Sequence, residues 1–280
     1  MKRIAQALGF APRPDGTYPL LLICGPCVLE SLELGLEVGE RVRDLARTLG
    51  INYVFKASYL KDNRTTATSF QGPGLNLGLE QLAEVKRRLG VPILSDVHTP
   101  AEAEPAAKVL DILQLPAYLS KQTQLTLALG RTHKPINVKK AQFMTAADLA
   151  IPIGKLRETG NDKLLLTERG TMFGYRDLIC DYRNLPQMRA LGYPVLFDVT
   201  HIVRIPGFTS TDVAGGMAHY IFDYARAAAA VGVDGFFIET HPDPTKALCD
   251  AQSMLALDRL PELLEQVLEL DALRRKWEPK

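Results

Sequence analysis

Short apolar runs alternate with amphipathic stretches along nearly the whole chain. Leu20 to Cys24 is an apolar run of strand length, broken by Gly25-Pro26, and helical periodicity begins after Ser31. Val38, Val42, Leu45, Ala46 and Leu49 mark the apolar face of that helix, and Gly50 stops it. The pattern then recurs. Strands are predicted over Ile51 to Lys56, Val91 to Ser95, Ile112 to Leu115, Pro135 to Val138, Leu164 to Thr167, Pro194 to Phe197 and Gly235 to Ile238. Between them fall helices over Leu75 to Leu89, Glu102 to Val109, a segment opened by Lys121-Gln122-Thr123, Ala146 to Thr159, Leu185 to Leu191 and Ala214 to Val231. A last helix runs from about Leu255 to Lys276.

Eight strand–helix pairs in 280 residues, with no linker-like stretch, predict an α/β fold. A closed (β/α)8 TIM barrel suits this even spacing and length better than an open doubly wound sheet. The barrel is expected as one catalytic domain over residues 20–280. Residues 1–19, with Pro12, Pro14, Gly16 and Pro19, read as an irregular or hairpin-like extension without an assigned role.

Composition narrows the function classes. A net charge of +1 offers no basic excess for nucleic acid. No apolar run approaches the roughly 18 residues of a membrane span, and the N-terminus has no signal-peptide core. Four cysteines in a chain this size do not make a disulfide framework, which points to a reducing cytoplasm.

Chemistry-bearing side chains crowd one place in each unit, just past the strand: Cys27, Lys56, Lys61, Arg64, Asp96, His98, Lys139, Arg169, His201 and Glu239. In a barrel these converge on the rim where such folds build active sites. Lys56, Lys61, Arg64, Lys121, Lys139 and Arg169 are more cations than one carboxylate needs, and suit two phosphorylated groups. Cys27, His201, Glu239 and Asp250 are thiolate, imidazole and carboxylate donors, a mix that suits Zn2+, Fe2+ or Mn2+. Each residue alone also has a plain reading: a solvated loop charge, a small buried thiol at Cys27, or a helix N-terminal residue at Asp250. Cys24-Gly25-Pro26-Cys27 has the form of a redox dithiol, but seven further βα units follow it and no second CxxC exists. Cys24 is expected in packed strand surroundings, and Cys180 and Cys249 are read as structural.

Many segments together carry a family resemblance. They are Gly25-Pro26-Cys27 to Glu30-Ser31, Phe55-Lys56-Ala57-Ser58, Lys61-Asp62-Asn63-Arg64-Thr65-Thr66, Ser95-Asp96-Val97-His98, Gln114-Leu115-Pro116-Ala117, Asn137-Val138-Lys139-Lys140-Ala141-Gln142-Phe143, Glu168-Arg169-Gly170 and Glu239-Thr240-His241-Pro242-Asp243-Pro244. The chain so resembles 3-deoxy-D-manno-octulosonate 8-phosphate synthase from about residue 20 to 270. That resemblance implies condensation of phosphoenolpyruvate with arabinose 5-phosphate and water, in lipopolysaccharide precursor synthesis, by a homotetramer. It implies Lys56, Gln114, Lys139 and Arg169 on phosphoenolpyruvate, and Asn63, Arg64, Thr65 and Lys121 on the sugar phosphate. It further implies Lys61, Asp96, His201 and Lys139 at the reacting atoms, and Cys27, His201, Glu239 and Asp250 on a divalent metal. The family's metal-free class carries asparagine where this chain has Cys27. Two positions depart from the family pattern, Lys121 and Gln71, where arginine is usual; both bear on acceptor choice. The sister activity, a heptulosonate 7-phosphate synthase using erythrose 4-phosphate, is the near alternative, and a non-catalytic phosphosugar-binding barrel the remote one.

Overall fold

The computed structural model describes residues 1–172, 178–209 and 212–277. Eight parallel strands close on themselves: β1 (Leu21–Gly25), β2 (Asn52–Lys56), β3 (Ile93–Asp96), β4 (Ile112–Leu115), β5 (Ile136–Lys139), β6 (Leu164–Glu168), β9 (Val195–Asp198) and β10 (Gly235–His241). Closure comes from β1 against β10, in the register Leu21↔Gly235 to Gly25↔Glu239. A two-residue hairpin, β7 (Thr171–Met172) with β8 (Leu178–Ile179), decorates the rim after β6, and β11 (Leu255–Ala256) extends β10. The (β/α)8 barrel expected from the apolar pattern is the observed fold. The last three positions of the expected segment 20–280 lie outside the described residues.

The strands are short and buried on both faces, so their side chains sort with a period of two. One set, including Leu22, Cys24, Phe55 and Leu113, packs outward under the helices. The other, including Ile23, Val54, Leu94, Ile112, Leu165, Leu196 and Phe237, fills the lumen. Two residues further along the same inward rows stand Lys56, Asp96, Gln114, Thr167, Asp198 and Glu239, all buried. Alternation alone therefore turns an apolar column into a polar floor at the C-terminal rim.

Helix signals behave as capping chemistry requires. Ser31 caps α2 (Leu32–Leu49) by accepting from the Leu34 amide at 3.1 Å, and Gly50 closes it at φ +64°. Several expected boundaries move. The last helix, α9 (Leu260–Arg275), begins later than predicted because Leu255–Ala256 pairs with β10 and Pro261 fits the first turn. The helix expected from Ala214 begins at Ile221 as α8 (Ile221–Val231), after two 3-10 turns flanking Gly215-Gly216.

The N-terminal extension needs a larger correction. Residues 10–19 are irregular as expected, with a turn in which the Arg13 amide donates to the Thr17 carbonyl at 2.7 Å, but Lys2–Leu8 forms a helix, α1, ended by Gly9 at φ +74°. Ile4 and Ala5 are fully buried, and Ile4 joins the lumen cluster with Leu21, Ile23 and Phe237. This helix plugs the barrel floor opposite the rim. Burial of Ile4 alone is worth about 1.5–3 kcal/mol. The prolines and glycine that follow α1 dominate the local pattern and obscure so short a helix.

Candidate active site

The inward rows end in a cavity of about 140 Å³ lined by Lys56, Lys61, Asp62, Asn63, Asp96, His98, Gln114, Lys139, Arg169, Asp198 and His201. A second cavity of about 80 Å³ adjoins it, and both share Asn63, Tyr118, Arg169 and His201. One wall is a lateral hydrogen-bond chain running across four neighbouring strands. Gln114 Nε2 donates to Asp96 Oδ1 at 2.6 Å, Asn137 Nδ2 donates to Gln114 Oε1 at 2.8 Å, and Thr167 Oγ1 donates to Asn137 Oδ1 at 2.7 Å. Ser58 Oγ donates to the other Asp96 oxygen. Each amide in this chain is thereby fixed in one orientation.

Cations line the same cavity. Lys56 Nζ donates to the Cys27 carbonyl at 2.8 Å and to Glu239 Oε1. Lys139 Nζ bonds Asp198 Oδ2 at 2.5 Å and lies 3.1 Å from the centroid of the Phe237 ring. Burial pushes the Lys139 ammonium down to about 8, a fall that Asp198 opposes. For Lys61, burial also works against the charge, but Cys27, Glu239 and Cys249 outweigh it and hold the amine above the ordinary lysine value. The carboxylates behave in the complementary way. Burial would raise Asp96, yet Lys56 and Lys61 keep it below the usual carboxylate range. Glu239 is pulled down to about 2, burial being overcome by Lys56 and Lys61.

Two glycines shape the rim. A Cβ on Gly25 would lie 2.1 Å from the Lys56 carbonyl oxygen, so only glycine lets β1 leave the sheet here. Gly170 has φ +92°, and a Cβ there would meet Ile202 Cδ1 at 2.4 Å. Glu168 Oε1 accepts from the Arg169 and Gly170 amides at 2.9 and 2.6 Å, which fixes the backbone carrying Arg169. The Arg169 Nη1 atom is buried without a hydrogen-bond partner among the described residues.

The metal-ligand types gather in two overlapping groups that share Asp250. Donor atoms of His201, Glu239 and Asp250 lie within 4.8 Å of one another, and so do those of Cys27, Cys249 and Asp250. His201 Nε2 stands 3.8 Å from both Glu239 Oε2 and Asp250 Oδ2, while its Nδ1 is 2.8 Å from Asp198 Oδ2. The carboxylate thus holds Nδ1, and Nε2 faces the cluster, the arrangement of a metal-ligating imidazole. Glu239 Oε2 is buried with no hydrogen-bond partner among the described residues. An orphaned carboxylate oxygen among imidazole and thiol donors fits a divalent cation. Burial and Cys249 push the Cys27 thiol up, so ligation would require its proton to be released.

Arg64 and Thr65, expected at the sugar phosphate, sit where three loops meet. Arg64 donates to the Leu248 carbonyl at 3.0 Å and to Cys249 Sγ at 2.7 Å; Thr65 Oγ1 donates to the Phe208 carbonyl at 3.1 Å. Arg204 bonds the Gly215 and Phe208 carbonyls and pairs with Asp250 Oδ1 at 2.9 Å. Lys121 is exposed and lines neither cavity. Cys24 is buried in the outer core, as expected.

Asp198, Asn137 and Phe237 stand at the site although sequence reasoning gave them no role, and Cys249, read there as structural, stands in the thiol–carboxylate group. The first three were findable: Asp198 ends an inward row, and Asn137 and Phe237 lie two residues before Lys139 and Glu239 on the same face. Cys249 had no local signal.

Fold and rim together define a class: a (β/α)8 barrel enzyme with a cationic cavity for anionic substrates, set beside a thiol–imidazole–carboxylate cluster. The chain belongs to the DAHP synthetase I family, whose model matches residues 15–276. Within that family many relatives 46–51% identical to the chain carry the name 2-dehydro-3-deoxyphosphooctonate aldolase. The protein of Desulfatibacillum aliphaticivorans is 51% identical over 252 residues, covering 90% of this chain and 92% of that protein. Those of Desulfotalea psychrophila and Geobacter sulfurreducens are 49% and 47% identical, covering 96% and 92% of this chain and 96% and 94% of theirs. The name is a synonym of the octulosonate phosphate synthase that the sequence motifs resemble, and the resemblance is borne out.

Proposed function

We propose that this protein condenses phosphoenolpyruvate with D-arabinose 5-phosphate and water, giving 3-deoxy-D-manno-octulosonate 8-phosphate and inorganic phosphate. The reading is supported by the relatives' shared name and carried by one observation. Lys56, Lys139 and Arg169 converge on a cavity that the braced Asp96–Gln114 pair also lines, and the Arg64 loops adjoin it.

In this reading Lys56, Lys139, Arg169 and Gln114 hold phosphoenolpyruvate, and Asn63, Arg64 and Thr65 hold the sugar phosphate. Lys121, exposed on the rim, reaches the sugar phosphate of a neighbouring subunit in a homotetramer. Carbon 3 of phosphoenolpyruvate attacks the aldehyde carbon while water adds to carbon 2. The developing positive charge at carbon 2 is relieved by that water, and the tetrahedral intermediate collapses by breaking the carbon–oxygen bond to phosphate. Fixed cations around the leaving phosphate stabilise the negative charge it carries away, without reorganisation. Lys61, held protonated, supplies the proton to the former aldehyde oxygen, and ionised Asp96 takes the proton released by water. His201, braced by Asp198, stands at the same rim as a third proton carrier. Cys27, His201, Glu239 and Asp250 hold a Zn2+, Fe2+ or Mn2+ ion, which when bound supplies Lewis-acid polarisation and positioning of the acceptor. The protein works in the cytoplasm, feeding lipopolysaccharide assembly; among the described residues no helix is long and apolar enough to cross a membrane.

Phosphate release from phosphoenolpyruvate tests the reading, with arabinose 5-phosphate and erythrose 4-phosphate run in parallel, before and after chelation. Pentose-dependent release that chelation abolishes and metal restores is expected. Preference for the tetrose would transfer the chain to the heptulosonate activity, and no release with either would leave a binding barrel. Release untouched by thorough chelation would remove the metal from the scheme.

A further inference from the structure

The four expected metal ligands do not stand alone. The Sγ atom of Cys249 lies within 4.8 Å of the donor atoms of Cys27 and Asp250, while His201, Glu239 and Asp250 form the other group. Cys27 Sγ is 3.4 Å from Asp250 Oδ2, the oxygen that His201 Nε2 also faces. The remaining oxygen, Oδ1, is held by Arg204 at 2.9 Å. Asp250 thus belongs to both groups and joins the two thiols to the imidazole and Glu239.

We infer that Cys249 is a second thiolate ligand, and that the metal centre of this chain takes two sulfurs rather than one. The inference rests on the metal-dependent reading given above. Three observations carry it. Cys249 and Cys27 are both buried, at 1% and 0% exposure, so neither sulfur is directed to solvent. Residues adjacent in an extended chain point to opposite sides, yet Cys249 and Asp250 reach the same cluster. The chain achieves this with Asp250 in a left-handed conformation, φ +47°, one of two non-glycine residues at positive φ among those described. Such strain is kept where the surroundings demand it. Finally, Arg64 Nη1 donates to Cys249 Sγ at 2.7 Å, which fixes that sulfur beside the cluster. On binding, each thiol gives its proton to solvent as a metal–sulfur bond forms. Two thiolates shift the preference toward Zn2+ or Fe2+ and away from Mn2+, which favours oxygen donors.

The bland account is that Cys249 only packs, in the small apolar cluster with Val28, Ala247 and Met254. X-ray absorption at the zinc edge of the Zn2+-loaded wild-type enzyme separates the two without any variant. Two sulfurs at about 2.3 Å are expected. One sulfur would overturn the inference and leave the metal reading intact; no sulfur would overturn both. In Co2+-loaded protein, the sulfur-to-cobalt charge-transfer band is expected to fall to roughly half in Cys249→Ser and also in Cys27→Ser. A band unchanged in Cys249→Ser and abolished in Cys27→Ser would refute the second thiolate.

Discussion

Asp198→Asn removes one charge from beneath the site with almost no change of shape. The Asp198 carboxylate bonds Lys139 Nζ at 2.5 Å, His201 Nδ1 at 2.8 Å and the His201 amide at 2.9 Å. It is fully buried, and Lys139 is 4% exposed. Breaking a buried pair by removing one partner costs about 3–5 kcal/mol, because the other charge stays in place unpaired. Lys139 can escape that cost by losing its proton. Since one pH unit is about 1.4 kcal/mol, even the lower figure corresponds to a further drop of about two units. Lys139 already titrates near 8, below the ordinary lysine value, because of burial. In Asp198→Asn it would be largely neutral at pH 7. In the wild-type enzyme the KM for phosphoenolpyruvate is expected to rise as pH increases through about 8. The variant should show that rise about two units lower, with a weaker affinity throughout the neutral range. The stability sign follows the same group. A lysine whose folded pKa lies below its unfolded value binds fewer protons when folded, so its stability penalty is full below about 8 and fades as pH climbs toward the unfolded value. Steady-state kinetics from pH 6 to 10 with thermal melts at each pH provide the assay. Coincident KM profiles for wild type and variant would refute the role given to Asp198.

Lys61→Met should fold, because it replaces a buried amine by an apolar chain of similar length, and lose most turnover. A kcat loss of at least about a hundredfold is expected for a proton donor, and a change in KM alone would contradict that role. Gly170→Ala must accept φ +92° and a Cβ 2.4 Å from Ile202 Cδ1, so a loss of about 1–3 kcal/mol by chemical denaturation is expected, with weaker phosphoenolpyruvate binding through Arg169. Ile4→Ala should lower stability by about 2–4 kcal/mol while leaving KM for both substrates unchanged, since Ile4 lies at the far end of the lumen. A shifted KM there would mean that the plug communicates with the rim.

Much of this architecture is legible in the sequence because the barrel repeats one signal. Apolar runs such as Leu164 to Thr167 are buried on both faces, and helix ends such as Gly50 and Gly90 have a local stereochemical cause. Lys56, Asp96 and Lys139 were visible as site residues because each ends a strand. What escaped depends on contacts between distant segments. Cys249 meets Cys27 only because β1 and β10 are neighbours, and a separation of 223 positions between Cys27 and Asp250 carries no local trace of the 3.4 Å approach. Residues 2–8 misled for the opposite reason. The turn-forming residues after them are genuine, but α1 is fixed by the lumen it enters rather than by its own propensity.

The lateral chain from Asp96 through Gln114 and Asn137 to Thr167 also constrains how this enzyme can diversify. Each amide there donates on one side and accepts on the other, so the four positions read as a single word with a direction. Changing one letter leaves a neighbour's donor or acceptor facing an unmatched group in a dry wall. Laboratory evolution that randomises these positions one at a time should therefore recover almost only the parent residue. Libraries that vary all four together are where working alternatives, including a reversed donor direction, would be found.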